Sequence, residues 1–156
     1  MEKAQRIGGK NGSKRHLLVE ENGIPLSIVV TGANNHDVTQ IENVLDKAYK
    51  PKKKKFKQRK ERIQENLCAD AGYVGSTDKI KKRNYKAHIR PRGEEKKEIE
   101  RNPSFKPKRW IVEVAHSWFT RFRKILIRFE KTEESFLALN QLAATIIIRK
   151  IGFIYG

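Results

Sequence analysis

The sequence predicts an α/β fold with a mixed sheet, and three observations lead there. Two β-rich runs, residues 16–20 and 24–31, flank Asn22-Gly23, a pair that favours positive φ and marks a hairpin turn. Short apolar runs at residues 66–69 and 87–90 alternate with helical patterns,. From Lys108 onward the apolar residues recur at helical spacing. The predicted order is hairpin, helix, strand, helix, strand and two long helices, which is an α/β layout. A length of 156 residues suggests one domain,.

Each element has its own signal. Residues 1–13 are polar, with Gly8, Gly9 and Gly12, and read as a tail or loop. After the hairpin, residues 32–37 form a loop into a helix, where Asp37 followed by Gln40 matches a capping box,. Val38, Ile41, Val44, Leu45 and Ala48 then recur at helical spacing, and the helix should end near Tyr49, before Pro51,. Residues 51–62 hold eight Lys or Arg within a basic loop spanning 51–65. Such a run is a solvated loop, a phosphate-contacting arm, or both.

Residues 66–69 read as a buried strand with Asp70 at its C-terminal end, and Cys68 as a small buried hydrophobe,. Residues 78–83 make a short basic helix and 87–90 a strand. Residues 91–107 are charged, contain Gly93 and three prolines, and read as a long loop. Trp110, Val114, Trp118 and Phe122 then lie four apart as one apolar stripe,. A second amphipathic helix covers residues 133–149, with Phe136, Leu139, Asn140, Ala143 and Ile147 along one side, before a C-terminal tail at 151–156.

Charge narrows the partner. Lys plus Arg number 35 against 18 Asp plus Glu, a net charge of +17. Such an excess repels itself in a compact state and calls for a polyanion, with nucleic acid foremost. One cysteine excludes an internal disulfide and fits a reducing compartment,. No apolar run approaches bilayer-spanning length, and the first residues lack the apolar core of a signal peptide,.

Two acids have distinctive settings: Asp70 in Leu67-Cys-Ala-Asp-Ala-Gly-Tyr73, and Glu113 in Arg109-Trp-Ile-Val-Glu-Val-Ala-His-Ser-Trp118. Phosphoryl transfer between DNA strands needs divalent ions clamping the attacking and leaving oxygens. Hard cations prefer carboxylate oxygens, so two or three acids from distant positions are the expected signature. Asp70 at a strand end and Glu113 early on a helix fit. Structural roles fit too: Asp70 can cap the turn at Ala71-Gly72, and Glu113 can pair with Arg109 one turn earlier.

The flanking blocks resemble the DDE transposases of bacterial insertion sequences, which have an RNase H-like catalytic core. Ser13-Lys-Arg-His-Leu-Leu-Val-Glu-Glu-Asn-Gly-Ile-Pro-Leu26 resembles the family's central hairpin. Thr31-Gly-Ala-Asn-Asn-His-Asp-Val-Thr-Gln40 resembles the loop and helix start behind it. Ala69-Asp-Ala-Gly-Tyr73 resembles the stretch carrying the second catalytic Asp. Residues 109–118, followed by Arg121-Phe-Arg-Lys124 and Arg128-Phe-Glu-Lys131, resemble the stretch carrying the catalytic Glu. The likeness runs from about residue 8 to 150 with all blocks in order.

The resemblance implies that Asp70 and Glu113 are the second and third metal-binding carboxylates for Mg²⁺ or Mn²⁺, within a partial catalytic domain at 14–150. It implies DNA as partner, both element ends and target, in the bacterial cytoplasm and nucleoid, without membrane association. Arg109 matches the family's Arg four residues before the Glu. The DNA-binding expectation covers Arg109, Arg121, Arg123, Lys124, Lys52, Lys53, Lys54 and Lys55. Lys106 stands where relatives often have Tyr, and Thr120 where they often have Lys. Those departures fall on DNA positioning rather than on metal binding.

The family's first catalytic Asp lies on a strand before the hairpin. Twelve residues precede Ser13 here and none is Asp. The expectation is therefore the C-terminal portion of a transposase, from a truncated element or from a second frame reached by frameshifting. Its partner would be the N-terminal half or a full-length transposase. Whether such a chain is an enzyme stays open. One alternative is an inactive transposase that only binds DNA or a partner, and another is an RNA-binding protein.

Smaller features have two readings each. Glu113 and His116 can form an i, i+3 metal pair, or His116 can pack beside Trp118. His16 and His88 read as structural. Trp110, Trp118, Phe119 and Phe122 can stack on bases, although a helical apolar stripe is usually core.

Overall fold

The computed structural model describes residues 12–48, 64–89, 91, 94–102, 108 and 110–155. The N-terminal tail, the basic run with Lys52, Lys53, Lys54 and Lys55, and Arg109 lie outside the described residues. The fold is mixed α/β. It divides into two compact units, Met1–Ala48 with Trp110–Gly156, and Tyr49–Arg109, where length alone suggested one.

In the first unit, β1 (Ser13–Val19) and β2 (Pro25–Gly32) pair antiparallel, from Ser13↔Gly32 to Leu17↔Ile28, with a shift at Leu18/Val19. The hairpin forms where Asn22-Gly23 put it. Glu20 N donates to Ile24 O (3.0 Å) and Gly23 N to Glu20 O (2.9 Å), so the loop holds three residues. Gly23 alone in it takes the left-handed conformation, at φ +82°, which matches a three-residue hairpin loop closed by a bulge.

Side chains alternate across the ladder. Arg15, Leu17, Ile28 and Val30 share one face; His16, Ser27, Val29 and Thr31 share the other. A turn of 3₁₀ helix (Asp37–Gln40) leads into α1 (Ile41–Asp46), which packs on both strands and buries Ile41, Val44 and Leu45. The capping box expected at Asp37 does not form. Asp37 is already the first residue of the 3₁₀ turn, and its carboxylate accepts from Lys14 Nζ at 3.2 Å instead. The same Lys14 ammonium donates to Asn35 O at 3.1 Å. The helix stops at Asp46, short of Tyr49.

The hairpin's other face carries the main core. It packs with α4 (Trp110–Thr120), α5 (Arg123–Leu126) and α6 (Glu133–Tyr155) through Phe119, Ile125, Phe136, Ala143, Ala144, Ile147 and Ile151. The α6 stripe follows the sequence expectation and continues past Arg149, into the residues first read as tail. The α4 stripe does not follow it. Ile111, Ala115 and Phe119 are buried, one position later than the Trp110 series, and Trp110 is 56% exposed. Small Ala115, wholly buried, allows close packing there; Trp118 and Phe122 only flank the core.

In the second unit, β3 (Glu65–Ala69) and β4 (Tyr85–Ile89) pair parallel, with Cys68 opposite His88. A 3₁₀ segment (Ala71–Ser76) and α2 (Thr77–Lys82) make the crossover. Asn84, at φ +65°, reverses the chain after α2, a conformation that Asn tolerates at a helix end. Leu67, Ile80 and Tyr85 are buried. The expectation of a buried strand is corrected: Asn66, Cys68, Lys86 and His88 alternate onto an exposed face, so Cys68 is an exposed thiol.

The stretch first read as a loop at 91–107 contains α3 (Glu94–Arg101). Its loop signals, Pro91, Gly93, Pro103 and Pro107, all lie outside the helix. Within the helix every residue is Glu, Lys, Ile or Arg, mostly strong helix formers.

Candidate metal and nucleic-acid site

Asp70 stands at the C-terminal end of β3, where the strand gives way to the 3₁₀ segment. Its backbone stays extended (φ −69°, ψ 161°), and its Oδ1 accepts from Ala71 N at 2.7 Å. Asp70 O also accepts from Tyr73 N at 2.9 Å. The capping role and an exposed carboxylate therefore coexist, because one oxygen fixes the turn while the side chain remains at the surface. A Cβ built on Gly72 would meet nothing within 4 Å, so the surface just past Asp70 is open to an approaching molecule.

Glu113 lies in the first turn of α4, exposed. It makes no hydrogen bond or ion pair with any described residue. On a helical wheel Trp110, Glu113, Ser117 and Thr120 fall together, opposite Ile111, Ala115 and Phe119, and all four are exposed. Arg121, Arg123 and Lys124 are exposed just beyond, at the junction with α5.

Beneath α4 the environment is cationic. Arg15 of β1 lies over the Phe119 ring, 4.5 Å from its centroid, and its Nη1 donates to Asn140 Oδ1 at 2.9 Å. Burial lowers the guanidinium pKa to about 10, so it stays charged at neutral pH. Among the described residues, Arg15 Nε is buried without a hydrogen-bond partner. Burial first, then Arg15 and His16, push the His116 pKa down to about 4. That keeps its imidazole neutral. His16 is lowered as well, chiefly by burial, and its Nε2 shares a hydrogen bond with Thr31 Oγ1 at 2.8 Å. His88 Nε2 bonds Asn66 Oδ1 at 2.8 Å. Both histidines have the structural partners expected of them.

Asp70 belongs to one compact unit, and Glu113, Arg121, Arg123 and Lys124 to the other. Among the described residues, no group of three or more His, Cys, Asp or Glu is placed to hold a metal ion. Glu113 and His116 therefore have no third ligand there. The donor chemistry of the two exposed carboxylates suits a hard divalent cation that keeps several waters. Sequence reasoning missed Arg15. The signal available was Asn140, an amide on an otherwise apolar stripe, which demanded a polar partner.

Two exposed acids thus stand at the ends of regular elements on a chain of +17 charge. The family of transposase DDE domains matches residues 67–149, which include both acids. The chain belongs to this family. A protein of Burkholderia cepacia described as a transposase for insertion sequence element IS402 is 31% identical over 140 residues, covering 87% of this chain and 62% of that protein. The chain thus spans about three-fifths of that relative's length. No solved structure matches it. Among the described residues, no helix is long and apolar enough to cross a membrane.

Proposed function

We propose that Asp70 and Glu113 are two carboxylates of a DDE acidic triad and that the chain takes part in metal-dependent DNA cleavage and strand transfer during transposition. The observation that carries this reading is the family match across residues 67–149 with both acids inside it. Each acid also has the exposure that a substrate-facing group requires. The reading implies an RNase H-like core within residues 14–150.

A bound Mg²⁺ or Mn²⁺ would supply charge neutralisation at the attacked phosphate and a lowered pKa for the attacking water or 3′-hydroxyl. The chain's own residues do the rest. Asp70 offers an exposed carboxylate whose Oδ1 also caps Ala71 N, and Glu113 offers its exposed carboxylate. Arg121, Arg123 and Lys124, with Arg109, Lys52, Lys53, Lys54 and Lys55, would hold phosphates of element ends and target. Such work places the protein at the nucleoid.

The test is plasmid nicking with Mg²⁺ or Mn²⁺. Asp70→Asn and Glu113→Gln should each abolish nicking while DNA binding persists. Nicking that survives both substitutions would overturn the assignment. Binding without nicking would replace it with a binding-only protein, and preference for RNA at equal salt would remove DNA as the substrate.

A further inference from the structure

We infer that the outward face of α6 is a contact between two copies of this chain, paired antiparallel about Leu142. The inference is independent of whether the two acids bind a cation. Its starting point is charge. Charged residues make up 34% of the chain, yet residues 135–148 hold none. A surface helix normally carries charged or polar residues opposite its buried stripe. Here the exposed positions of that stretch include Ala138, Gln141, Leu142, Thr145 and Ile146. Leu142 is 59% exposed and Ile146 38%. The inward face is complete without them, since Phe136, Ala143, Ala144, Ile147 and Ile151 already fill the core. A second face with large exposed apolar side chains marks a protein contact. Its lack of cations sets it apart from surfaces that hold phosphates.

The pattern of that face fits a second copy. A two-fold axis beside Leu142 lays two α6 helices antiparallel and sets Leu142 against Leu142 of the second copy. Positions equally far from Leu142 then share a level. Ala138 falls level with Ile146 of the second copy, and Thr145 with Leu139, so each level joins a smaller side chain to a larger one, as close packing requires. At the ends, Glu134 falls level with Lys150 of the second copy; both are exposed. The positive end of each helix dipole also meets the negative end of the other. A parallel pair would instead set Glu134 level with Glu134 and Ile146 with Ile146. Two chains of +17 repel each other,, and a face without charge is where that repulsion opposes contact least. From residue 135 to 148 the helix runs about 20 Å. One such face falls short of the roughly 800 Å² per partner of a standard interface, so the pair is weak and forms at high local concentration.

Sedimentation equilibrium of the nuclease-treated full chain, taken to hundreds of micromolar, should show monomer and dimer. Dimer should gain as salt screens the repulsion. Leu142→Glu, at an exposed position, should weaken dimerisation by about tenfold or more, the scale of one buried leucine, with an unaltered circular dichroism spectrum. Crosslinking reads the geometry. In a Cys68→Ser background with added oxidant, Ala138→Cys mixed with Ile146→Cys should give a disulfide-linked pair, and neither variant alone should. Three outcomes would each overturn the inference: a monomer at every concentration, a dimer untouched by Leu142→Glu, or crosslinks within each cysteine variant alone, which would mean a parallel pair.

Discussion

Arg15 and Asn140, 125 positions apart, are joined by one hydrogen bond of 2.9 Å between Nη1 and Oδ1. The amide is fully buried, and its Nδ2 donates to Phe136 O at 2.7 Å. This contact ties the hairpin to α6 beneath the helix that carries Glu113. Replacing Asn140 with Leu strips a half-buried guanidinium of its acceptor and should cost about 2–3 kcal/mol. Replacing Arg15 with Met orphans the amide oxygen and should cost about 1–3 kcal/mol. The double variant should lose less than the two single losses added together, because neither group is then left stranded. Urea unfolding of the four proteins measures the cycle, and strict additivity would show that the bond does not couple the elements.

His116 gives unit stability a pH dependence of known sign. Its folded pKa is about 4 against 6.5 when solvated, so the unfolded chain binds the proton more readily. Stability from this ring is complete above pH 6.5 and is lost as pH falls towards 4. The loss should be on the order of 1–2 kcal/mol, discounted for the part of the ring that water still reaches. His16, also lowered by burial, adds in the same direction. Thermal melts between pH 4 and 7 should show a shallower slope for His116→Gln than for wild type.

Gly23 is fixed by backbone and packing together. At φ +82° a side chain is strained, and an added Cβ would meet the Trp118 ring at 3.0 Å. Gly23→Ala should therefore destabilise by about 1–3 kcal/mol, with the strain and the displaced ring both contributing. Near-ultraviolet circular dichroism should show Trp118 losing its fixed environment. An unchanged melting temperature would mean that the loop relaxes into another turn.

The hairpin and α6 were legible because their signals are local: Asn22-Gly23 specifies a turn, and the Phe136 to Ile147 spacing specifies a buried face. The α4 face was misread because two four-residue series overlap, and the large aromatics of one outweighed the small Ala115 of the other. Tertiary packing against β1 chose between them. Helix α3 was hidden by the prolines that bracket it. Cys68 was misplaced because a short apolar run does not say which of its faces is covered. Asp70 and Glu113 were singled out through their flanking blocks rather than through spacing, since a chain with 18 acids offers many pairs. Arg15 was missed because its partner Asn140 lies on α6, and the lone amide there says that a polar partner is needed without saying which one.

Exposed cations beyond α4 should act additively on DNA. Arg121→Ala, Arg123→Ala and Lys124→Ala should each weaken duplex binding without altering sequence preference. If each group meets one phosphate, each loss should flatten the slope of log affinity against log salt by about one. Fluorescence anisotropy across a salt series measures both quantities. A slope unchanged in all three variants would assign these side chains to an ordinary solvated face.

The two acids should oppose DNA until a divalent cation is present. Exposed carboxylates on a basic surface repel phosphate, so without divalent ions Asp70→Asn and Glu113→Gln should each bind DNA more tightly. The gain should be about two- to fivefold, the scale of an exposed charge pair. Added Mg²⁺ should then strengthen wild-type binding, since a cation held by carboxylate oxygens turns repulsion into attraction. It should strengthen the variants less, closing the gap. General screening by Mg²⁺ would instead weaken every protein alike, which makes the difference between wild type and variants the informative quantity. If Mg²⁺ shifts all three affinities in parallel, neither acid meets a cation at the DNA surface, and the carboxylates serve only the turn and the helix on which they stand.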